Sequence, residues 1–403
     1  MKLVVLTSTY PATSTPDATP VVHYFAKEWV KMGHEIVVFH LLAKYPRIYY
    51  TIGKLFKKRL DSRLGSVIPV VYPTNYEETV DGVYIKHITM KKYKPHGRYT
   101  KDVIRRTVNC IYDYCNQTKM PNYFLAHWDN PQLEILVALK TKCNIPTCLV
   151  FHENKFSLEN RYGKELSYLL DAIDAFGFRN KTAKEEFESK FGLRKDSFMA
   201  LSGVSPEFIE AGENLEKDFS NISKFVYVGN LMERKHGDKL IKPLTKAYPD
   251  GHYSLTYIGD GNLKLKIEEI IQENGQKDNV VFTGKLKRNS IISYLKDSDI
   301  FIMISEGEIF GLVYLEAMAL GVIPIASIGE GIDGIIKDSY NGFLCHAGDE
   351  NELYDVLLRI KSMKADELKE ISKNARETAL SFSDTKVAER YLAGLPPIDN
   401  SAS

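Results

Sequence analysis

Glu308 and Glu316 stand eight positions apart in the run Glu308-Ile309-Phe310-Gly311-Leu312-Val313-Tyr314-Leu315-Glu316. A carboxylate accepts hydrogen bonds from neighbouring hydroxyls, so the second glutamate suits a sugar diol. The apolar run Ile300–Ile304 ahead of the pair reads as a buried strand. Ala317–Leu320, closing on Gly321, reads as a helix with a glycine just past its end. Glu308 then lies in a strand-to-helix loop, and Glu316 inside the helix. The start of such a helix presents free N–H groups and the positive end of its dipole, which suits a phosphate or diphosphate. An acidic residue near a helix start is also common for stability alone, so the nonamer takes its meaning from the rest of the chain.

Two histidines follow apolar runs: His127 after Tyr123–Ala126, and His152 after Thr147–Phe151. In an open α/β sheet, active groups gather at the carboxyl ends of strands. Most strand-end histidines are nonetheless structural. Asp297-Ser298-Asp299 has the D-x-D form of a metal–nucleotide site, but it falls at a helix end one residue before a buried strand, and it reads as structural. No other His/Cys/Asp/Glu grouping suggests a divalent ion, so no metal and no cofactor are expected.

The elements that must position these residues alternate. Leu3–Leu6, the helix Val21–Met32 and the strand Ile36–Phe39 form a β-α-β unit, the building block of parallel sheets. Strand candidates follow at Val67–Val71, Val83–Ile88, Tyr123–Ala126, Thr147–Phe151 and Asp174–Gly177. A second series comprises Phe225–Val228, Tyr253–Ile258, Val280–Phe282, Ile300–Ile304 and Val322–Ala326, with helices between. Two doubly wound α/β domains are expected, joined near Gly203–Ser220 where Gly, Pro, Ser and Asn break the pattern.

Length agrees: 403 residues suffice for two cores. Net charge is +1, which gives no global polyanion signal, but residues 40–110 hold 15 Lys/Arg against 5 Asp/Glu. Five cysteines without C-x-x-C spacing argue for a reducing compartment and against a disulfide framework. Met1–Thr7 is too short an apolar run for a signal peptide, and Gly311–Gly329 is interrupted by Glu316 and Pro324, so it reads as helix plus strand rather than a membrane span.

The Glu-x-Phe-Gly-x4-Glu run resembles the E-x7-E signature of retaining glycosyltransferases of family 4, which have the GT-B fold of two Rossmann-like domains facing across a cleft. Gly229-Asn230-Leu231-Met232-Glu233-Arg234-Lys235-His236-Gly237 is similar to that family's Gly-Arg-Leu-x-x-x-Lys-Gly turn, and Gly259-Asp260-Gly261 and Gly284 match its further landmarks. Here Asn230 replaces the family's arginine and His236 is extra. The resemblance implies domains over 1–205 (acceptor) and 206–383 (donor), with a last helix in 384–400 returning to the first. It implies that Gly229, Arg234 and Lys235 grip the donor diphosphate, where cations stabilise a departing nucleoside diphosphate. It places Lys285 and Leu286 beside the base, Phe310, Gly311 and Leu312 at the diphosphate, Glu308 on the donor sugar, and Glu316 on the ribose. His127 would face the donor sugar, with His152 as the alternative. The N-terminal loop has Tyr10-Pro11 but lacks the glycine found in relatives after that pair.

The basic surplus includes Lys54, Lys57, Lys58 and Arg59, interleaved with aromatic residues, and a second cluster at Lys91 and Lys92. Such a mixture suits an anionic leaflet or an acceptor, or simply a solvated helix face. No nucleic-acid motif accompanies it. The resulting expectation is a cytoplasmic enzyme, peripheral at the inner face of the membrane. It would use a UDP- or GDP-sugar to extend a lipid-linked glycan in capsule, O-antigen or exopolysaccharide assembly. The alternatives are a nucleotide-sugar epimerase on the same fold and a non-catalytic scaffold.

Overall fold

The computed structural model describes residues 1–15, 18–51, 71–94, 97–153, 156–194 and 196–398. Lys54, Lys57, Lys58 and Arg59, and all of the expected strand Val67–Val71 but its last residue, lie outside the described residues. The chain divides into two compact units. The first holds Met1–Arg179, Ala183–Leu201 and Ala388–Ser403; the second holds Asn180–Thr182 and Ser202–Val387.

The first unit is built on strands β1 (Lys2–Thr7), β2 (Glu35–Lys44), β3 (Tyr76–Val80), β4 (Val83–Lys91), β5 (Tyr123–His127), β6 (Thr147–Phe151), β7 (Ala175–Phe178) and β8 (Ser197–Met199). They form one sheet in the order β3-β4-β2-β1-β5-β6-β7-β8. Every pairing is parallel except β3 with β4. Helices on both faces bury the central strands, which explains their unbroken Val/Leu/Phe runs. The helix Lys101–Gln117 shows the helical side of that logic. Thr100 caps it by accepting from the Val103 N–H, and Ile104, Val108, Ile111 and Cys115 make its buried stripe. Lys2 is buried inside β1 and is tolerated because its ammonium meets Glu35 at 3.0 Å and the Thr118 hydroxyl at 3.0 Å.

Strand β3 was not expected. Tyr-Glu-Glu-Thr-Val is too polar to read as a strand, yet it pairs antiparallel at the sheet edge. The cause is the turn: Asp81 and Gly82 both have positive φ (51° and 78°), the two-residue geometry whose twist suits a hairpin. Ile300–Ile304 also shortens, to Ile300–Ile302, and Asp174–Gly177 shifts to Ala175–Phe178.

The second unit has strands β9 (Lys224–Val228), β10 (Ser254–Ile258), β11 (Val280–Gly284), β12 (Ile300–Ile302), β13 (Ile323–Ser327) and β14 (Phe343–Cys345). Their order is β11-β10-β9-β12-β13-β14, all parallel. In both units strand order reverses beside the first strand, between β1 and β5 and between β9 and β12. Ligands of open α/β sheets bind outside the carboxyl ends of strands at that reversal. In the first unit, His127 stands opposite Thr7 at the reversal. In the second, the loops after Val228 and Ile302 meet there.

The helix Asp384–Ala393 crosses between the units, and from Ala388 onward it belongs to the first. Tyr391 packs there at 5.1 Å from Phe25, 5.0 Å from Trp29 and 5.1 Å from Phe198, ring to ring. The Trp29 indole N–H donates to the Ala388 carbonyl at 3.1 Å.

Candidate active site

The second unit brings its candidate residues together through two loops. After β9 the chain turns at Gly229, held by the Gly229 N–H donating to the Ile258 carbonyl at 2.9 Å, and the Leu231 N–H to the Asp260 carbonyl at 3.0 Å. The neighbouring turn at Gly259-Asp260-Gly261 comes so close that a Cβ on Gly259 would sit 1.9 Å from the Gly229 carbonyl oxygen, and one on Gly261 2.1 Å from that of Leu231. Those glycines therefore serve backbone-to-backbone packing.

The β9 loop continues into a short 3-10 turn, Glu233–Lys235. The loop after β12 is tied to it by the Glu306 N–H, which donates to the Arg234 carbonyl at 2.7 Å. Glu308 is then fixed from its own backbone: its N–H donates to Glu330 Oε2 at 2.7 Å, and its carbonyl accepts from the Gly331 N–H at 2.9 Å. Its carboxylate forms an ion pair with Lys235, and Arg234 Nη1 stands 4.0 Å from the same oxygen. Arg234 also donates to the Gly307 carbonyl at 3.3 Å. Thus a cation pair and a carboxylate converge at the reversal of strand order.

Gly311 starts the helix Leu312–Ala319 with φ +76°, and a Cβ there would lie 2.6 Å from the Tyr314 ring. Tyr314 in turn donates its hydroxyl to the Met303 carbonyl. Phe310 is buried, so its side chain packs inside the unit and only its backbone can face a ligand. Lys285 is exposed and Leu286 half-buried in the loop after β11. Glu316 is 4% exposed and forms an ion pair with Arg288, the first residue of the helix Arg288–Lys296. Burial pushes the Glu316 carboxyl pKa up, and Arg288 opposes that push.

Arg288 and Glu330 were not singled out from the sequence. Arg288 reads there as one more surface cation, and Glu330 as a turn residue between two glycines. Asp297-Ser298-Asp299 serves the fold: Asp299 accepts from the backbone N–H groups of Ser223 (3.0 Å) and Lys224 (2.9 Å), and Asp297 pairs with the Lys224 ammonium at 2.6 Å. Among the described residues no three His, Cys, Asp or Glu side chains gather as a metal site would require.

Residues 215–378 match the family model Glycosyl transferases group 1. The chain is 27% identical over 196 residues to N-acetyl-alpha-D-glucosaminyl L-malate synthase of Bacillus anthracis, covering 46% of this chain and 50% of that one. It is 27% identical to an uncharacterized glycosyltransferase of Methanocaldococcus jannaschii, over 64% of this chain and 70% of the relative. The alignment thus spans half the length of the first relative. Among solved structures, Anabaena HepE in complex with UDP superposes with a TM-score of 0.66 over 98% of this chain and 99% of its own, at 16% identity. The fold is therefore GT-B, with two Rossmann-like units.

In the first unit of this GT-B fold, His127 closes β5 but is wholly buried. Its ring is near Phe25 and Tyr391, its Nδ1 is 2.8 Å from His152 Nε2, and its Nε2 has no hydrogen-bond partner among the described residues. The cause is the returning C-terminal helix, whose Tyr391 packs near this strand end. His152 is partly exposed, with Trp128 stacked on it at 4.0 Å. Trp128 itself has φ +68°, a backbone conformation rare for a bulky side chain. Burial and the nearby Arg179 guanidinium push the His127 pKa down to about 3. Burial, His127 and Arg179 hold that of His152 well below the ordinary range, so both rings are neutral at physiological pH. Beside them Glu153 is pushed up to about 7 by burial and by the charge of Asp129, with Arg161 opposing.

One expectation needs correction. Lys92, grouped above with membrane-facing cations, is only 8% exposed, with its ammonium 4.7 Å from the Tyr99 ring centroid. It packs against an aromatic face and offers nothing to a surface. Lys91 does lie exposed. Near it in the sheet, Lys44 sits over the Tyr72 ring at 4.6 Å, and Tyr93 is 66% exposed. No described helix is long and apolar enough to cross a membrane.

Proposed function

We propose that this chain is a retaining glycosyltransferase that moves a sugar from a nucleoside diphosphate to a hydroxyl of a lipid-linked glycan, in the assembly of a cell-surface polysaccharide. The observation that carries this reading is the convergence of Lys235, Arg234 and Glu308 at the strand reversal of the second unit. Cations there stabilise the charge that develops on a departing diphosphate, and the carboxylate accepts from hydroxyls of the sugar being moved. In the transfer, the bond from the anomeric carbon to the diphosphate oxygen breaks. The acceptor oxygen bonds to that carbon on the same face, and its proton passes to the departing diphosphate. Backbone N–H groups near Gly311 and Leu312 hold the diphosphate, Glu316 holds the ribose, and no metal takes part.

In the first unit the sugar-facing role passes to His152, with His127 behind it fixing its tautomer through the ring-to-ring hydrogen bond. Lys44, Arg47, Ile48, Lys91 and Tyr93 form a mixed basic and apolar surface suited to the anionic inner leaflet. Titration with UDP-, GDP- and ADP-sugars, in EDTA, tests the reading. One nucleotide class should bind, and Glu316→Ala should weaken it at least about tenfold. No binding by any of them overturns the enzyme, and conversion of the donor sugar to its epimer without acceptor, as opposed to simple hydrolysis, makes it an epimerase. Loss of activity in EDTA overturns metal independence.

A further inference from the structure

Arg288 sits where local physics does not ask for a cation. It opens a helix, and the positive end of a helix dipole disfavours positive charge. Yet its guanidinium reaches Glu316, four per cent exposed in the neighbouring helix, and lies 5.6 Å from the Phe208 ring centroid. A carboxylate so far from water loses its solvation, and without a partner it would take up a proton. A protonated carboxyl is a weaker acceptor than a carboxylate, and so holds a pair of hydroxyls less tightly.

The geometry points to Arg288 as a positioning residue for ribose recognition: it fixes one oxygen of Glu316 so that the carboxylate can accept from the ribose hydroxyls, and so sets the preference for ribonucleotides over nucleotides lacking them. This rests on the nucleotide-sugar reading above. Nothing about Arg288 requires contact with the nucleotide itself. It acts through Glu316, and so its replacement alters a ratio of affinities rather than affinity in general.

The test is calorimetric titration of UDP and GDP, and of their 2′,3′-dideoxy forms, into wild type, Arg288→Met and Arg288→Lys, from about pH 6 to about pH 8.5. Melting temperature is recorded for each variant. Wild type should favour the ribonucleotide by at least about tenfold at every pH. Arg288→Met should lose most of that preference at the acid end and regain it as pH rises and Glu316 ionises. Arg288→Lys, which keeps the charge but not the fork, should retain part of it throughout. An unchanged ratio in a folded Arg288→Met overturns the proposal, as does a wild type that binds both forms equally; in the latter case the nucleotide reading survives. A wild type that binds neither nucleotide overturns both.

Discussion

At the scale of the residue, the candidate donor site is partly neutralised from within. Lys235 is spent on Glu308, and Arg288 on Glu316. A diphosphate arriving at Lys235 competes with a carboxylate already there, and the two anions repel. This gives an outcome opposite in sign to that of an ordinary contact residue. Glu308→Gln keeps the shape and removes the competing charge, so UDP or GDP alone should bind as well as in wild type or up to about tenfold tighter, while sugar transfer falls at least about a hundredfold. Lys235→Met should weaken the same nucleotide by roughly ten- to a hundredfold. Calorimetry of the free nucleotide beside a transfer assay separates the two. A Glu308→Gln protein that loses nucleotide affinity would show that the carboxylate serves the diphosphate side rather than the sugar.

Among elements, the turns at the ends of β9 and β10 bear the tightest constraint. Gly259 has φ +145° and faces the Gly229 carbonyl, so an added Cβ meets rigid backbone that no rotamer can clear. Gly259→Ala should therefore cost about 3 kcal/mol or more, read as a lower urea midpoint with weaker nucleotide binding. A change under about 1 kcal/mol would show that the two turns can slide apart. Elements of this kind were legible to different degrees. The central strands were plain in the sequence because burial on both faces demands continuous apolar runs, as in Leu3–Leu6 and Phe225–Val228. Strand β3 was hidden because an edge strand needs no such run; its register comes from the Asp81-Gly82 turn. The same division holds for the site. Glu308, Lys235 and Gly311 were singled out because the runs that hold them resemble a known family's motifs. Arg288 did not, because its meaning depends on a contact across 28 residues of chain to Glu316, which no local pattern encodes. The burial of His127 was equally invisible, since it depends on Tyr391, far along the chain.

For the molecule as a whole, the first unit is completed by a piece of chain that follows the second. Tyr391 fills a place among Phe25, Trp29 and Phe198 of the first unit. Tyr391→Ala should cost the first unit about 3–5 kcal/mol while leaving the second nearly as stable as before. Thermal unfolding followed by hydrogen exchange should show the loss concentrated in β1, β5 and the helix Val21–Lys31, with nucleotide binding by the second unit retained below that transition. Uniform loss across both units would mean that they unfold as one.

That completion also sets an order in time. A ribosome adding roughly 5–20 residues per second releases Leu201 well before Ala388, so the first unit waits roughly 10–40 s with an aromatic socket open. During that interval Phe25 and Trp29 are available to chaperones or to the wrong partner, and the sheet, complete in its strands but not yet covered by the last helix, is at its most vulnerable to aggregation. The N-terminal half, first to be born, is the last to be finished.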